Sequence, residues 1–263
     1  KEKSEEKKSI KISVKDLLED PFKNIRKEFL TKGEYSPIEF VTGRTKKIAS
    51  IVSKAKRLNI QDIEAEMEDI AGIRIMCQFV EDIYNIVNLI KLRSDMTIVY
   101  EKDYIKNFKD SGYRSYHVII KYPINSIAGS KEILCEIQIR TLAMNFWATI
   151  EHSLKYKYEH YIPETLAVRL RRAADAAFLL DQEMSEIRED IMKAQVMYQV
   201  KSVTLRDVLD KIQELYNVGE THKAIKYQRR LDKIDNERDI TEILQLKKEI
   251  DSLLQEYKNK VDD

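Results

Sequence analysis

The chain reads as an α+β protein: a mixed β-sheet flanked by helices, with long helices at its C-terminal end. Three observations predict this. Residues 131–156, KEILCEIQIRTLAMNFWATIEHSLKY, change period midway. Ile133, Cys135, Ile137 and Ile139 alternate with Leu134, Glu136, Gln138 and Arg140, as in a strand with one buried face, and from Thr141 onward Leu142, Phe146, Thr149, Ile150 and Ser153 recur at helical steps. Residues 70–79, IAGIRIMCQF, are the most apolar stretch and suit a central strand. Beyond Pro163, steps of four and three connect Leu166, Leu170, Ala173, Ala177, Leu180, Met184, Ile187, Ile191, Ala194 and Tyr198 into a heptad seam on one helix expected to end near Val200.

Composition narrows the function. The 263 residues carry 46 Lys plus Arg against 45 Asp plus Glu, a net charge of +1, so any anion binding must come from local clusters rather than an overall basic field. The chain is long enough for one main domain with an appendage. No run of eighteen apolar residues occurs and the opening KEKSEEKKS has no apolar signal core, which predicts a soluble, unexported, cytoplasmic protein without a membrane partner. Cys77 and Cys135 fall on inward strand positions and are too few for a disulfide framework or a Cys-based zinc site. Six Gly and four Pro point to short connections between many helices.

In chain order, residues 1–9 are a charge run expected to be disordered. Val14, Leu17, Leu18, Phe22, Ile25 and Phe29 make a helical pattern, with a break expected at Pro21. Residues 37–42 read as a short strand, and 45–58 as a helix whose face carries Lys46, Ser50, Lys54 and Arg57, with Arg44 just before it. Such a cationic stripe near a helix start either holds polyphosphate or is a solvated basic face. After a short acidic helix at 62–68, Arg74 shares a strand face with Gly72, Met76 and Gln78 and needs a partner. Asp69 would face the same way only if the strand bulged at Gly72. A helix at 82–93 and a strand at 97–105 lead to KDSGYRSYH (109–117), where Tyr113, Ser115 and His117 alternate onto one face. Tyr113 there is either a sheet aromatic or a surface for a nucleobase. Residues 125–130 form a hairpin into the strand that carries Glu136, Gln138 and Arg140. That polar row is either a wet sheet face or a site on a rigid element. The seam after Pro163 needs a partner helix, in its own chain or in another copy. Residues 203–263 read as two or three further helices with stripes such as Leu205, Val208, Ile212, Leu215 and Ile243, Ile250, Leu254, and Asp239 with Glu242 as a capping box.

Four runs together, FVTGRTKKIASI (40–51), EDIAGIRIMCQF (68–79), DSGYRSYH (110–117) and EIQIRTLAMNFWATIEHSLKYKY (136–158), resemble the RelA/SpoT-type alarmone synthetases, most closely the small, single-domain, RelQ-like branch, over roughly residues 13–200. The resemblance implies a nucleotidyltransferase-like synthetase fold at residues 10–162; the heptad pattern places the long helix at 163–202, and the helical extension at 203–263 is longer than the resemblance explains. It implies transfer of the β,γ-pyrophosphate of ATP to the 3′-hydroxyl of GTP or GDP, releasing AMP, in stringent-response signalling. Arg44, Lys46, Ser50, Lys54, Arg57 and Arg74 would bind ATP, with Lys102 where the family has an arginine. Asp69 and Glu136 would hold Mg2+, with Glu136 also the base. Lys109, Tyr113, His117, Gln138 and Asn145 would bind GTP or GDP. Relatives of this kind form tetramers and take an alarmone effector; Lys23, Phe40 and Thr42 match that site, whereas Glu19 stands where a lysine is expected. Single-stranded RNA is a further partner to consider. No His-Asp dipeptide occurs, so no hydrolase half is expected. The rival readings are a toxin-like relative that pyrophosphorylates adenine nucleotides or RNA, and a nucleotide- or RNA-binding regulator with vestigial chemistry.

Overall fold

A computed structural model describes residues 19–46, 48–126, 129–157, 163–234 and 240–261. The charge run 1–9, the pattern at Val14, Leu17 and Leu18, and Asp239 of the expected capping box lie outside the described residues. The chain divides into two compact units, 1–186 and 187–263.

In the first unit, residues 19–31 form α1, helical straight through Pro21, where a break was expected. Proline's fixed φ is helical, so only one lost donor and the ring contact are at stake. Five strands follow: β1 (Phe40–Thr45), β2 (Ala71–Cys77), β3 (Thr97–Asp103), β4 (Tyr116–Ser126) and β5 (Gly129–Thr141). They form one mixed sheet in the order β1-β2-β5-β4-β3, with β2 and β5 parallel and every other pair antiparallel. Between them lie α2 (Ile48–Leu58), α3 (Ile63–Glu66) and α4 (Val80–Lys91), and after them α5 (Leu142–Lys157) and α6 (Glu164–Asn217).

The expected alternation along β5 is what builds the core. Ile137 and Ile139 stand opposite Ile73 and Ile75 of β2, Val118 and Ile120 continue the layer on β4, and all six are buried against Phe22 of α1 and Ile83, Ile86 and Ile90 of α4. Cys77 and Cys135 are fully buried free thiols in this layer, as their strand positions predicted. The opposite face of the same strands carries the polar row.

β2 and β5 approach unusually closely. A Cβ on Gly72 would sit 2.0 Å from the backbone oxygen of Glu136, its partner across the ladder, so only glycine fits. No bulge occurs at Gly72, the condition under which Asp69 could share the facing of Arg74 within a strand: the pairing runs without a register shift from Ala71 on β1 and from Gly72 on β5. Asp69 lies in the turn before β2, outside the strand, which frees its direction from the strand's alternation.

Helix α6 is longer than expected, continuing without a break from Glu164 to Asn217. Residues 200–204, VKSVT, hold neither Gly nor Pro, and the Thr204 hydroxyl bonds back to the Val200 carbonyl at 2.8 Å inside the helix. The first left-handed residue comes only at Gly219, φ +87°. In the first unit α6 turns Ala174, Asp181 and Ser185 inward, leaving seam residues Leu180 and Met184 exposed. Of the seam, Leu170 packs beside Trp147, Ala148 and Ala174, whereas Leu166, Leu180, Met184, Ile187, Ile191 and Tyr198 are exposed. In the second unit, the last turns of α6 with α7 (Thr221–Leu231) and α8 (Ile240–Val261) enclose a separate core that includes Val208, Ile212, Leu215, Ala224, Leu231, Ile243 and Ile250.

Two predictions follow from this packing. Gly72→Ala should force β2 away from β5 and lower stability by roughly 1–3 kcal/mol; a denaturation midpoint equal to wild type would refute the close approach. The second concerns Asp181, buried beside the start of α5. The Thr141 hydroxyl accepts the Met144 N–H (3.1 Å), capping α5, and donates to Asp181 (2.6 Å). Burial pushes the Asp181 carboxyl up to about 6, against the pull of the Thr141 hydrogen bond and with help from the charge of Glu81. The protonated folded form is thus favoured, its stabilisation complete below the ordinary 3.8 and lost as pH rises through about 6. Asp181→Asn keeps the acceptor for Thr141 without the charge, so its melting temperature should exceed wild type at pH 7.5 and lose that advantage at pH 4. A difference independent of pH would sink the assignment.

Candidate active site

The register of the sheet assembles residues from separate segments into one line. Thr42, Arg74, Gln138, His117 and Lys102 are cross-strand neighbours in a single row over all five strands. The adjacent row holds Arg44, Gly72, Glu136, Ile119 and Tyr100. Arg44 is placed by its backbone register; its side chain lies outside what is described.

On this face five side chains close a ring of hydrogen bonds. His117 donates from Nδ1 to Glu136 (2.8 Å), and Gln138 donates from Nε2 to the other Glu136 oxygen (2.7 Å). Gln138 Oε1 accepts from Arg140 Nη2 (3.1 Å) and from Arg74 Nε (3.2 Å), which fixes the amide's orientation. Arg140 Nη2 also donates to the Tyr113 hydroxyl (2.6 Å), and that hydroxyl meets His117 Nε2 at 2.8 Å. The carboxylate at Nδ1 selects the Nδ1–H tautomer, leaving Nε2 to accept from Tyr113. Burial pushes the imidazole's pKa down, with the charges of Arg140 and Lys109 adding and the Glu136 contact opposing, so the ring is neutral at pH 7. The partner that Arg74 needed is thus the Gln138 amide.

Arg140 is the residue the sequence reading left outside its site set. Its guanidinium is buried, with Ser115 Oγ (3.2 Å), Tyr113 and Gln138 as hydrogen-bond partners, all uncharged. A buried cation with neutral partners leaves a field that favours an incoming anion. Its signal was present: Arg140 shares the alternating face of Glu136 and Gln138.

A second cluster sits before β2. Asp69 takes Lys46 Nζ at 2.5 Å and Lys54 Nζ at 3.0 Å. Burial alone would raise the Asp69 pKa, but the two ammonium groups outweigh it and hold the carboxyl below its ordinary value. Ser50 and Arg57, on the same stripe of α2, are exposed. Lys102 reaches the Tyr100 hydroxyl at 3.2 Å, a group whose acidity is suppressed by burial and by Glu68.

The loop bearing Lys109 and Tyr113 is held by α6. Gly112, at φ +86°, passes so close that an added Cβ would lie 2.6 Å from the Ala174 Cβ. Arg114 donates to Asp175 at 2.9 Å while its guanidinium lies over the rings of Phe108 and Phe178. Lys109 lies over the Tyr104 and Tyr113 rings at 4.7 and 4.9 Å. Arg74, Lys109, Tyr113, Gln138 and Arg140 open together onto a cleft of about 330 Å³ that is also lined by Ser111 and by Ala148, Thr149, Glu151 and His152 of α5. Asn145, earlier on α5, has a buried Oδ1 without a hydrogen-bond partner among the described residues. At the β1 edge, Phe40 is half-exposed, while Lys23 pairs with Glu19 at 2.6 Å and Glu19 also accepts the Gly43 N–H.

Glu136, on the polar face of β5, and Asp69, in the turn before β2, each offer hard carboxylate oxygens. No group of three or more His, Cys, Asp or Glu side chains among the described residues could hold a metal unaided. That donor set fits a metal that takes its remaining ligands from phosphate and water, as Mg2+ does.

Comparison with known proteins shows the family of the chain. Residues 43–161 match the family model for the region found in RelA/SpoT proteins. The chain is 54% identical over 180 residues to the GTP pyrophosphokinase YjbM of Bacillus subtilis, covering 68% of this chain and 85% of that protein. It is 40% identical to the GTP pyrophosphokinase YwaC of the same organism over 67% of this chain and 86% of that one. The crystal structure of small alarmone synthetase 1 from B. subtilis bound to its product pppGpp superposes with a TM-score of 0.66 at 53% identity, covering 68% of this chain and 93% of that one. With that identity extending over most of its relatives' length, the chain belongs to the RelA/SpoT family, in its small alarmone synthetase branch.

Proposed function

We propose that this protein is a GTP pyrophosphokinase, transferring the β,γ-pyrophosphate of ATP to the 3′-hydroxyl of GTP or GDP to give (p)ppGpp and AMP. The observation that carries the proposal is the closed hydrogen-bond ring around Glu136 at the wall of a cationic cleft, in a chain 54% identical to a GTP pyrophosphokinase. The acceptor occupies the cleft beside Tyr113, with Lys109 and Arg140 toward its phosphates. Lys46 and Lys54 exchange Asp69 for the donor's phosphates. The acceptor's 3′-oxygen bonds to the β-phosphorus, the bond from that phosphorus to the α,β-bridging oxygen breaks, and the bridging oxygen leaves on AMP. The hydroxyl proton passes to Glu136, which His117 and Gln138 hold in place. Alignment and charge neutralisation supply most of the acceleration. Asp69 and Glu136 would hold Mg2+, and the ion when bound would supply further neutralisation of the charge on the transferred group.

The protein acts as a homo-oligomer, a tetramer by family likeness. What supports assembly is the exposure of apolar side chains: Leu142, Phe146 and Ile150 on α5 and Leu180 and Met184 on α6 in the first unit, and Ile187 and Ile191 in the second. No described helix is long and apolar enough to cross a membrane; the cytoplasm, where ATP and GTP are abundant, is its place of action. At the position expected for an alarmone effector, Lys23 is already neutralised by Glu19, so an effector phosphate would have to open that pair.

Incubation of γ-labelled ATP separately with GTP, GDP, GMP, ADP and RNA should place label on the guanine nucleotides and release AMP; label on adenine nucleotides or RNA alone would overturn the proposal. Glu136→Gln should fold and lose turnover by orders of magnitude, and retained activity would remove Glu136 from its role. Light scattering should find a species larger than the monomer; a monomer at every concentration would refute assembly.

A further inference from the structure

We propose that Glu151 reads the guanine of the acceptor, taking its N1–H and N2–H donors on one carboxylate. The inference rests on the reading of the cleft as the acceptor site.

Among the described residues lining that cleft, Glu151 is the one carboxylate, in a wall otherwise supplied with Arg74, Lys109 and Arg140. A carboxylate facing phosphate is repelled, so it belongs at the end of the cleft that receives something other than phosphate. Its position marks that end. Tyr113 packs against the cluster of Trp147, Ala148 and Ala174, and Glu151 follows Ala148 by three residues on the same side of α5. A base lying against the Tyr113 ring therefore turns an edge toward Glu151.

The wall is fixed before any ligand arrives. The Trp147 indole donates to the Leu170 carbonyl at 2.9 Å, tying α5 to α6, and α6 holds the Tyr113 loop through Gly112 and Arg114. The stacking ring and the carboxylate are thus anchored to one helix.

The edge chemistry selects the base. An ionised carboxylate only accepts hydrogen bonds. Guanine presents two adjacent donors, N1–H and the N2 amino group, and satisfies both oxygens. Adenine presents an unprotonated N1, an acceptor against an acceptor. Hypoxanthine keeps N1–H but lacks the amino group, and xanthine puts a carbonyl oxygen where the amino group was. Sites built to bond such donors reject analogues that lack them strongly, because the buried partner is left unpaired.

The test uses the full-length protein with labelled ATP and the acceptors GTP, ITP and XTP. Wild type should prefer GTP to ITP and ITP to XTP in kcat/KM. In Glu151→Gln the amide can donate to the xanthine carbonyl and accept N1–H, so the GTP to XTP ratio should fall by about 100-fold or more while KM for ATP holds. In Glu151→Ala the preference for GTP over ITP should shrink toward unity. An unchanged ratio in either variant, or an equal loss with all three acceptors, overturns the role of Glu151 while leaving the enzyme's function standing. Wild type that labels none of the three acceptors overturns the function itself, and this inference with it.

Discussion

The parallel pairing of β2 with β5 is the constraint on which the rest of the site depends. It sets Arg74 beside Gln138 and Gly72 beside Glu136, and the approach there is so tight that the Glu136 carbonyl fills the space a side chain at 72 would need. A one-residue slip would turn Glu136, Gln138 and Arg140 into the apolar layer and bring isoleucines to the cleft. The apolar layer on the other face, Ile73 and Ile75 against Ile137 and Ile139, forbids that slip energetically. Core packing and site geometry are thus two faces of one register.

The polar face answers a different problem, that of charged groups with little water around them. Arg140 and His117 are buried; both ring nitrogens of His117 are hydrogen-bonded, and Arg140 is held through its Nε and Nη2. Each ring member also restrains the next: two guanidiniums set the Gln138 amide, the amide and imidazole set Glu136, and the carboxylate sets the imidazole tautomer. Reactions limited by alignment and charge need such rigidity. The Lys46, Lys54 and Asp69 cluster is built differently, with two ammonium groups converging on one carboxylate.

Helix α6 links these features to the C-terminal part of the chain. Its fully buried residues in the first unit, Ala174, Asp181 and Ser185, are small or polar: Ala174 meets Gly112 at close range, and Asp181 completes the cap of α5. Most of its apolar seam is left outside. The helix continues past the expected end because nothing between Val200 and Asn217 breaks it, and the second unit closes its own core around the final turns.

The alternation of Ile133, Cys135, Ile137 and Ile139, the apolar β2 stretch and the switch to helical steps at Thr141 determined the elements and the two faces of the central strands, because periodicity is a local property. Position in sequence also singled out Glu136, Gln138, Arg74, His117 and Tyr113 as chemically suited residues. Tertiary structure alone decided that they touch. Strand order and register are set by long-range packing, so no spacing could reveal that Thr42, Arg74, Gln138, His117 and Lys102 form one row. Asp69 escapes the strand's alternation because the strand starts two residues later, a boundary that pattern reading did not resolve. Alternation put Arg140 on the face of Glu136 and Gln138 but could not show that it is buried, and Glu151 looks like an ordinary helix-surface charge in the sequence; burial and the cleft wall come from what folds over them.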